Sequence, residues 1–114
     1  VGGASILDRH FGYQQMAQAY YRHRNDEPEA LDLAIDACKK QIRLGSEAAK
    51  GFLAEDPEDS LPAHHGFQQL AIIREREKDY GEAIRLCREA MAQDWGGDWE
   101  KRITRCENRL AKLG

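Results

Sequence analysis

Apolar residues recur along this chain at intervals of three and four positions, in stretches that end at polar, proline or glycine residues. The last stretch shows the interval most clearly, because its apolar positions are Trp99, Ile103, Cys106, Leu110 and Leu113. This spacing places the apolar side chains on one side of an α-helix. No segment shows the apolar–polar alternation of a half-buried β-strand. The pattern therefore predicts an all-α protein.

Six helices are predicted from this spacing and from residues that favour helix ends. The predicted ranges are about 6–24, 27–44, 47–55, 62–78, 80–94 and 98–113. The residues expected to cap the helix starts are Ser5, Asp26, Ser46, Asp79 and Asp98. Ser5 with Asp8, and Asp79 with Glu82, have the spacing of a capping box. Pro28 is expected in the first turn of the second helix, where its missing N–H does little harm.

The chain also contains an internal repeat. The letters GYQQMA at 12–17 return as GFQQLA at 66–71, and EAL at 29–31 returns as EAI at 82–84. Such a repeat indicates one helical unit used twice, and repeated units usually stack to bury a common core. The sequence thus predicts a helical scaffold, without naming what the scaffold binds.

Small residues follow each copy of the repeat at set intervals. Ala71, Ala83 and Ala90 are separated by 12 and 7 positions. Ala17, Ala30 and Ala37 occupy the matching places in the first copy, which has one more residue in its turn. Together with the turn-like stretch 78–84, this arrangement resembles the tetratricopeptide repeat, a helix–turn–helix unit of 34 residues.

The resemblance implies a single domain, 1–114, in which two antiparallel helical hairpins stack as an α–α superhelix. Unit one spans about 10–44 and unit two about 64–97, with an insertion at about 45–63 and a capping helix at about 98–113. The insertion departs from the family pattern, as does Trp95, which stands where the family usually has proline. The inserted helix is expected either outside, beside the second helices, or inside, where Phe52 and Leu53 would fill the groove.

In tetratricopeptide proteins the first helix of each unit lines a concave groove, and the resemblance places a peptide-binding site there. The residues it implies are Gln14, Gln18, Tyr21, Arg22, Gln68, Glu75 and Arg76, with Phe11 on the same face. Equivalent positions form an amide ladder (Gln14 with Gln68) and an arginine ladder (Arg22 with Arg76). Amides can hydrogen-bond a peptide backbone, and paired arginines can hold a carboxylate. Glutamine stands where chaperone-binding members carry a Lys/Asn carboxylate clamp, so a chaperone tail is not the expected ligand.

Charge is spread unevenly along the chain. The net charge of -3 and the pI near 5.8 argue against a protein that binds nucleic acid through its overall field. Residues 45–60 carry five acids against one base, whereas residues 98–114 carry five bases against three acids. Opposite patches of this kind can pair within one molecule or between molecules.

Candidate catalytic or metal-binding chemistry is sparse. The histidines, His10, His23, His64 and His65, form no pair with metal-ligand spacing, so no metal site is expected. The cysteines, Cys38, Cys87 and Cys106, lie in apolar helical stripes, which favours reduced core thiols in a cytoplasmic protein. No glycine-rich phosphate loop is present, so we expect no enzyme and no cofactor. No apolar run reaches the roughly 18 to 20 residues of a membrane span, so no membrane partner is expected.

These observations predict a non-catalytic scaffold module that binds a protein or peptide partner. Two alternatives remain open, an architectural module that self-associates as a homo-oligomer and an accessory domain of a larger enzyme. The opening residues, Val1 to Ser5, have neither an initiator Met nor a signal pattern, which favours a segment cut from a longer chain. The identity of the partner cannot be inferred from the residues.

Overall fold

The computed structural model of the protein describes residues 5–113. This part of the chain forms six α-helices and no β-strand, with one isolated β-bridge between Ala63 and Gly96. The helices are α1 (Ile6–Arg22), α2 (Ala30–Arg43), α3 (Gly45–Glu55), α4 (His65–Arg76), α5 (Tyr80–Ala92) and α6 (Trp99–Leu113). The prediction of an all-α fold is confirmed. Residues 1–4, where the sequence suggested a cut segment, lie outside the described range.

The helices group into two compact units, which are described separately below. The N-terminal unit contains α1 to α3 and ends at Asp59. The C-terminal unit begins at Ser60 and contains α4 to α6. Each unit is therefore a helical hairpin with a third helix packed against it.

In the N-terminal unit, α1 and α2 form an antiparallel hairpin. His10, near the start of α1, contacts the side chain of Gln41, near the end of α2. At the opposite end of the hairpin, Tyr20 and Leu33 line the same cleft. Small side chains fill the buried seam, which includes Ala17, Ala30, Ala34 and Ala37. Side chains of this size allow two helices to pack at the short end of the usual interaxial range.

The start of α2 differs from the prediction. Asp26 does not cap this helix, which begins at Ala30 without a side-chain cap. The carboxylate of Asp26 instead lies 3.7 Å from Nδ1 of His23, and residues 23–29 form turns. Pro28 disfavours helical backbone in the residue before it. The helix therefore starts after the proline rather than around it.

The inserted helix α3 packs mainly on α1, the first helix of the hairpin. The ring of Phe52 lies edge-on to His10 and Phe11, with centroids 5.5 and 5.8 Å apart. A Cβ atom on Gly51 would come within 2.9 Å of Ile6, so the absence of a side chain permits this close approach. In this unit α3 therefore contacts the Phe11 face of α1, which the resemblance assigned to the groove. Ser46 does not cap α3, because the helix follows α2 directly at Leu44.

In the C-terminal unit, α4 and α5 form a second antiparallel hairpin, and α6 packs on α5. His64, just before α4, stacks edge-on against Trp95, just after α5. A buried cluster of Tyr80, Ala83, Ile84 and Cys106 joins α5 to α6, with Ile103 packed beside it. Ile103 and Cys106, two of the regularly spaced apolar positions of the last helix, therefore hold α6 on α5. Leu110, another of these positions, is 41% exposed.

The start of α4 also differs from the prediction. The helix begins at His65 rather than Pro62, because Gly96 N–H donates to the Pro62 carbonyl and holds this segment against the α5–α6 connection. His64 then acts as the cap, since its Nδ1 accepts a hydrogen bond from Phe67 N–H at 3.1 Å. Capping by Asp79 at α5 and the capping box of Ser5 with Asp8 at α1 are confirmed.

Candidate functional site

The predicted peptide-binding residues of α1 do not form one uniform surface. Gln14 is half-buried, and its Oε1 accepts a hydrogen bond from Nε2 of Gln41 at 3.4 Å. Gln18 and Arg22 are exposed, and Arg24 lies over the ring of Tyr21 at 4.0 Å from the centroid. Part of the predicted α1 surface is thus used in holding the N-terminal unit together.

The predicted residues of α4 lie together along one groove of the C-terminal unit. Gln68 lines a cavity of about 340 Å³ with Trp99 and Arg102. Glu75 and Arg76 line an adjoining cavity of about 420 Å³, which also includes Arg102. Because the cavities share this arginine, they form one groove with α4 on one side and α6 on the other, called here the α4/α6 groove.

Glu75 of α4 binds two arginines of α6 across this groove. Its carboxylate accepts hydrogen bonds from Arg102 Nη1 at 2.7 Å and from Arg105 Nε and Nη2 at 2.7 and 2.9 Å. The hydrogen bond from Arg105, together with that from Arg102 and the charge of both, holds the pKa of Glu75 below its ordinary value, while partial burial opposes the shift. The two-pronged contact fixes the Arg105 fork against α4. Glu75 thereby orients two arginines of α6 rather than facing a ligand itself.

Positive charge in the groove exceeds what Glu75 can balance. The larger cavity is lined by one carboxylate, Glu75, and by five cationic side chains, Arg76, Lys78, Arg102, Arg105 and Arg109. Within residues 5–113, the side chains of Arg76, Lys78 and Arg109 have no ion pair or hydrogen bond. A cluster of like charges lining a cleft concentrates its field and attracts an anion. The groove is therefore a candidate anion-binding site in a chain whose net charge is -3.

Lys78 reaches the groove from a strained backbone position. It follows the C-terminus of α4 with a φ of 64°, the left-handed region that favours glycine. Lys78 N–H donates to the Glu75 carbonyl and Asp79 N–H donates to the Arg74 carbonyl, which is the bonding pattern of a Schellman motif. The motif usually has glycine at this position, so the lysine side chain is present at an energetic cost.

Sequence reasoning missed the half of the groove contributed by α6. Arg102, Arg105 and Arg109 lie in the predicted capping helix, and their spacing of three and four positions puts them on one helical face. The excess of bases over acids after Asp98 was a visible signal. What the sequence could not supply was the identity of the facing helix.

A second cleft, of about 430 Å³, lies at the end of the α1–α2 hairpin where the turn connects the two helices. Its lining includes Tyr20, Pro28 and Leu33, together with the acidic residues Glu27 and Glu29. The lining is mostly apolar with acidic residues, so it would suit a different ligand from the basic α4/α6 groove.

A buried polar cluster also connects α1 with α2. His10 and Gln41 are both almost fully buried, and Nε2 of His10 lies 3.3 Å from Nε2 of Gln41. Burial lowers the pKa of His10, because the interior disfavours the charged imidazole. Most of this cluster is closed to solvent, so its clearest role is to fix the packing of the hairpin.

The described residues offer little for covalent or metal chemistry. No group of three or more His, Cys, Asp or Glu within residues 5–113 is arranged to hold a metal ion. The three cysteines are buried, as predicted, and burial raises the pKa of Cys38 to about 12 and that of Cys87 to about 11. Thiols with such values are weak nucleophiles at neutral pH. None of the helices that the structure describes is long and apolar enough to cross a membrane.

Comparison of the chain with protein-family models, curated proteins and solved structures finds no match. The α4/α6 groove is therefore interpreted from its own geometry and charge.

Proposed function

We propose that this protein is a non-catalytic binding module that holds an acidic segment of a protein partner in the α4/α6 groove. The excess of cationic side chains over carboxylates in one shaped cleft is the observation that carries the proposal. Glu75 keeps Arg102 and Arg105 oriented, which reduces the side-chain entropy lost when a ligand binds. Arg76, Lys78 and Arg109 supply charge for the carboxylates of the partner.

We also infer that the two hairpins are tetratricopeptide-like units. The inference is supported by the burial of the small residues that defined the repeat, namely Ala17, Ala30, Ala37, Ala71, Ala83 and Ala90. It is supported as well by the packing of α1 on α2 and of α4 on α5. An experimental structure in which the two hairpins do not continue one superhelix would reject the inference.

The binding proposal is tested with a paired neutralisation in the groove. Arg76→Gln with Arg109→Gln should weaken binding of a fluorescently labelled oligoglutamate peptide, measured by anisotropy. An exposed ion pair contributes about 0.2–1 kcal/mol, so two lost pairs predict about a 2- to 30-fold weaker affinity. Raising salt should weaken the wild-type complex as well, because the exposed charges are screened.

The matched control removes the same charge elsewhere. Arg9 and Arg43 are exposed arginines of the N-terminal unit, and Arg43, like Arg76, lies in the last turn of its helix. Arg9→Gln with Arg43→Gln should leave peptide affinity nearly unchanged. Equal weakening by both pairs would show that only the overall charge matters, and the proposed groove would be rejected.

A further inference from the structure

The α4/α6 groove calls for a ligand with several negative charges in a small space. Two of its cations, Arg105 and Arg109, are four residues apart on α6, which corresponds to a rise of about 6 Å along the helix. Lys78 and Arg76 face the same cavity from α4 and the turn after it. One carboxylate would leave most of this charge unbalanced, whereas a compact cluster of carboxylates would not.

The chain itself carries a cluster of this kind. Residues 55–59, called here the acidic segment, are Glu55, Asp56, Pro57, Glu58 and Asp59, and all five are exposed. Asp59 N–H donates to the Asp56 carbonyl at 3.2 Å, which closes a tight turn with Pro57 at its second position. Proline at that position and aspartate before it are typical of a type I turn. Three carboxylates, those of Asp56, Glu58 and Asp59, thereby lie within one short turn, and Glu55 immediately precedes it.

The acidic segment matches the groove in size, in its pre-formed conformation and in charge. The ends of a β-turn lie less than about 7 Å apart, which is close to the separation of the two arginines along α6. The turn is already formed, so docking it would order few additional residues. Its charge is opposite to that of the groove, which favours encounter and register between the two surfaces.

We propose that the α4/α6 groove binds the acidic segment of a second copy of this chain. The proposal rests on the binding function proposed above and names the partner. Donor and acceptor surfaces differ, since the segment closes the N-terminal unit and the groove belongs to the C-terminal unit. Such a heterologous contact joins copies head to tail and leaves a free segment and a free groove at the two ends. Association therefore continues beyond the dimer as concentration rises.

The test uses sedimentation velocity on the full chain from micromolar to millimolar concentration. Wild type should show average mass that rises with concentration at low salt. It should become monomeric as salt rises from about 0.01 M to about 1 M, over which the Debye length falls from about 30 Å to about 3 Å. A groove variant, Arg76→Gln with Arg109→Gln, and a segment variant, Asp56→Asn with Glu58→Gln, should each be monomeric. Circular dichroism checks that both variants stay folded.

Mixing the two variants gives the sharpest result. The groove variant still has a segment, and the segment variant still has a groove, so the mixture should form a heterodimer and stop there. The Arg9→Gln with Arg43→Gln control should associate as wild type does. If the segment variant still self-associates, or if the mixture stays monomeric while wild type associates, the proposed contact is wrong.

The experiments distinguish failure of the self-association proposal from failure of the proposed binding function of the groove. If wild type stays monomeric at every concentration but binds oligoglutamate, self-association is rejected and the proposed function stands. If the segment variant binds oligoglutamate more tightly than wild type while remaining monomeric like it, the segment occupies the groove of its own chain, and the second-copy proposal is again rejected. If no oligoglutamate binds, both proposals fail.

Discussion

Lys78 combines an unfavourable backbone angle with a position in the lining of the α4/α6 groove. Its φ of 64° closes the Schellman motif that ends α4, a position where glycine avoids the clash of a Cβ atom. The structure repeats this geometry at Asp94, with a φ of 67°, where Asp94 N–H donates to Met91 and Trp95 N–H donates to Ala90. The two positions have nearly the same backbone geometry, but only Lys78 lines the α4/α6 groove.

Lys78→Gly should therefore raise stability and lower affinity. Relief of the left-handed strain predicts a gain of about 1 kcal/mol in the free energy of unfolding, measured with urea. Loss of one groove charge predicts weaker oligoglutamate binding, by a factor of about 1.5 to 5. Asp94→Gly is the control and should stabilise less, because aspartate tolerates this region better, while leaving binding unchanged. A Lys78→Gly protein that is stabilised and binds as tightly as wild type would remove Lys78 from the site.

At the scale of elements, the connection from α5 to α6 sets where the basic helix lies. Gly97 has a φ of 149°, and a Cβ atom added to it would come within 2.7 Å of the Trp99 ring. Trp99 is in turn held by its Nε1, which donates to the Trp95 carbonyl at 2.8 Å. The absence of a side chain at Gly97 thus allows Trp99 to close the start of α6, and α6 then presents Arg102 to Glu75.

Gly97→Ala should destabilise the protein by about 1–3 kcal/mol, the usual range for forced overpacking and an unfavourable backbone angle. Gly81→Ala is the matched substitution, since a Cβ atom there would meet nothing within 4 Å. Because Gly81 lies in the first turn of α5, the alanine should be neutral or stabilising by up to about 1 kcal/mol. Thermal melts of the two variants give the comparison. Equal stability of the two would mean that the Trp99 contact does not position α6.

The helices themselves were predictable because apolar spacing is a local signal. The first residues of the helices were less predictable, because different partners can hydrogen-bond the backbone N–H and C=O groups at each helix start. Pro62 was expected inside α4, but its carbonyl is taken by Gly96, a residue far along the chain. His64 caps α4 although histidine is not among the favoured capping residues. Asp26, which is a favoured capping residue, lies beside His23 instead.

The candidate site was only partly predictable for a related reason. The resemblance selected Gln68, Glu75 and Arg76 on α4, and all three line the groove. It gave no role to α6 beyond capping, because the arginines of that helix form a site only where α6 packs beside Glu75 of α4. Likewise, the sequence left open whether α3 would lie on the groove face of α1, where Phe52 meets Phe11, or outside it. Contacts between distant segments were the missing information in both cases.

At the scale of the whole molecule, stability depends on pH through the groups that folding shifts. Burial lowers the pKa of His10 and His65 below the ordinary value of 6.5. The unfolded chain then takes up protons before the folded chain does, so stability falls as pH drops below about 6.5. Each histidine adds a slope of at most about 1.4 kcal/mol per pH unit. The pKa of Glu75 is also lowered, from an ordinary value of 4.5, so the protein loses further stability as pH falls below about 4.5.

Buried cysteines lower the stability of the protein at alkaline pH. Burial raises the pKa of Cys38 from 9.0 to about 12 and that of Cys87 to about 11. Above pH 9 the unfolded chain loses thiol protons that the folded chain keeps, so stability falls as pH rises. These groups therefore predict a plateau of stability between about pH 6.5 and 9, with a decline on either side.

Urea denaturation of single variants, at pH values within the plateau and on both sides of it, tests which residue causes each decline in stability. His10→Gln should flatten the decline below about pH 6.5, even though loss of the ring also lowers stability throughout. Cys38→Ala should flatten the alkaline decline and leave the acid side as in wild type. The slope, rather than the stability at one pH, is the informative quantity, because a purely structural loss shifts the whole curve without changing its shape. An acid decline unchanged in His10→Gln would mean that His10 does not stay neutral in the fold, and the buried contact with Gln41 would need another explanation.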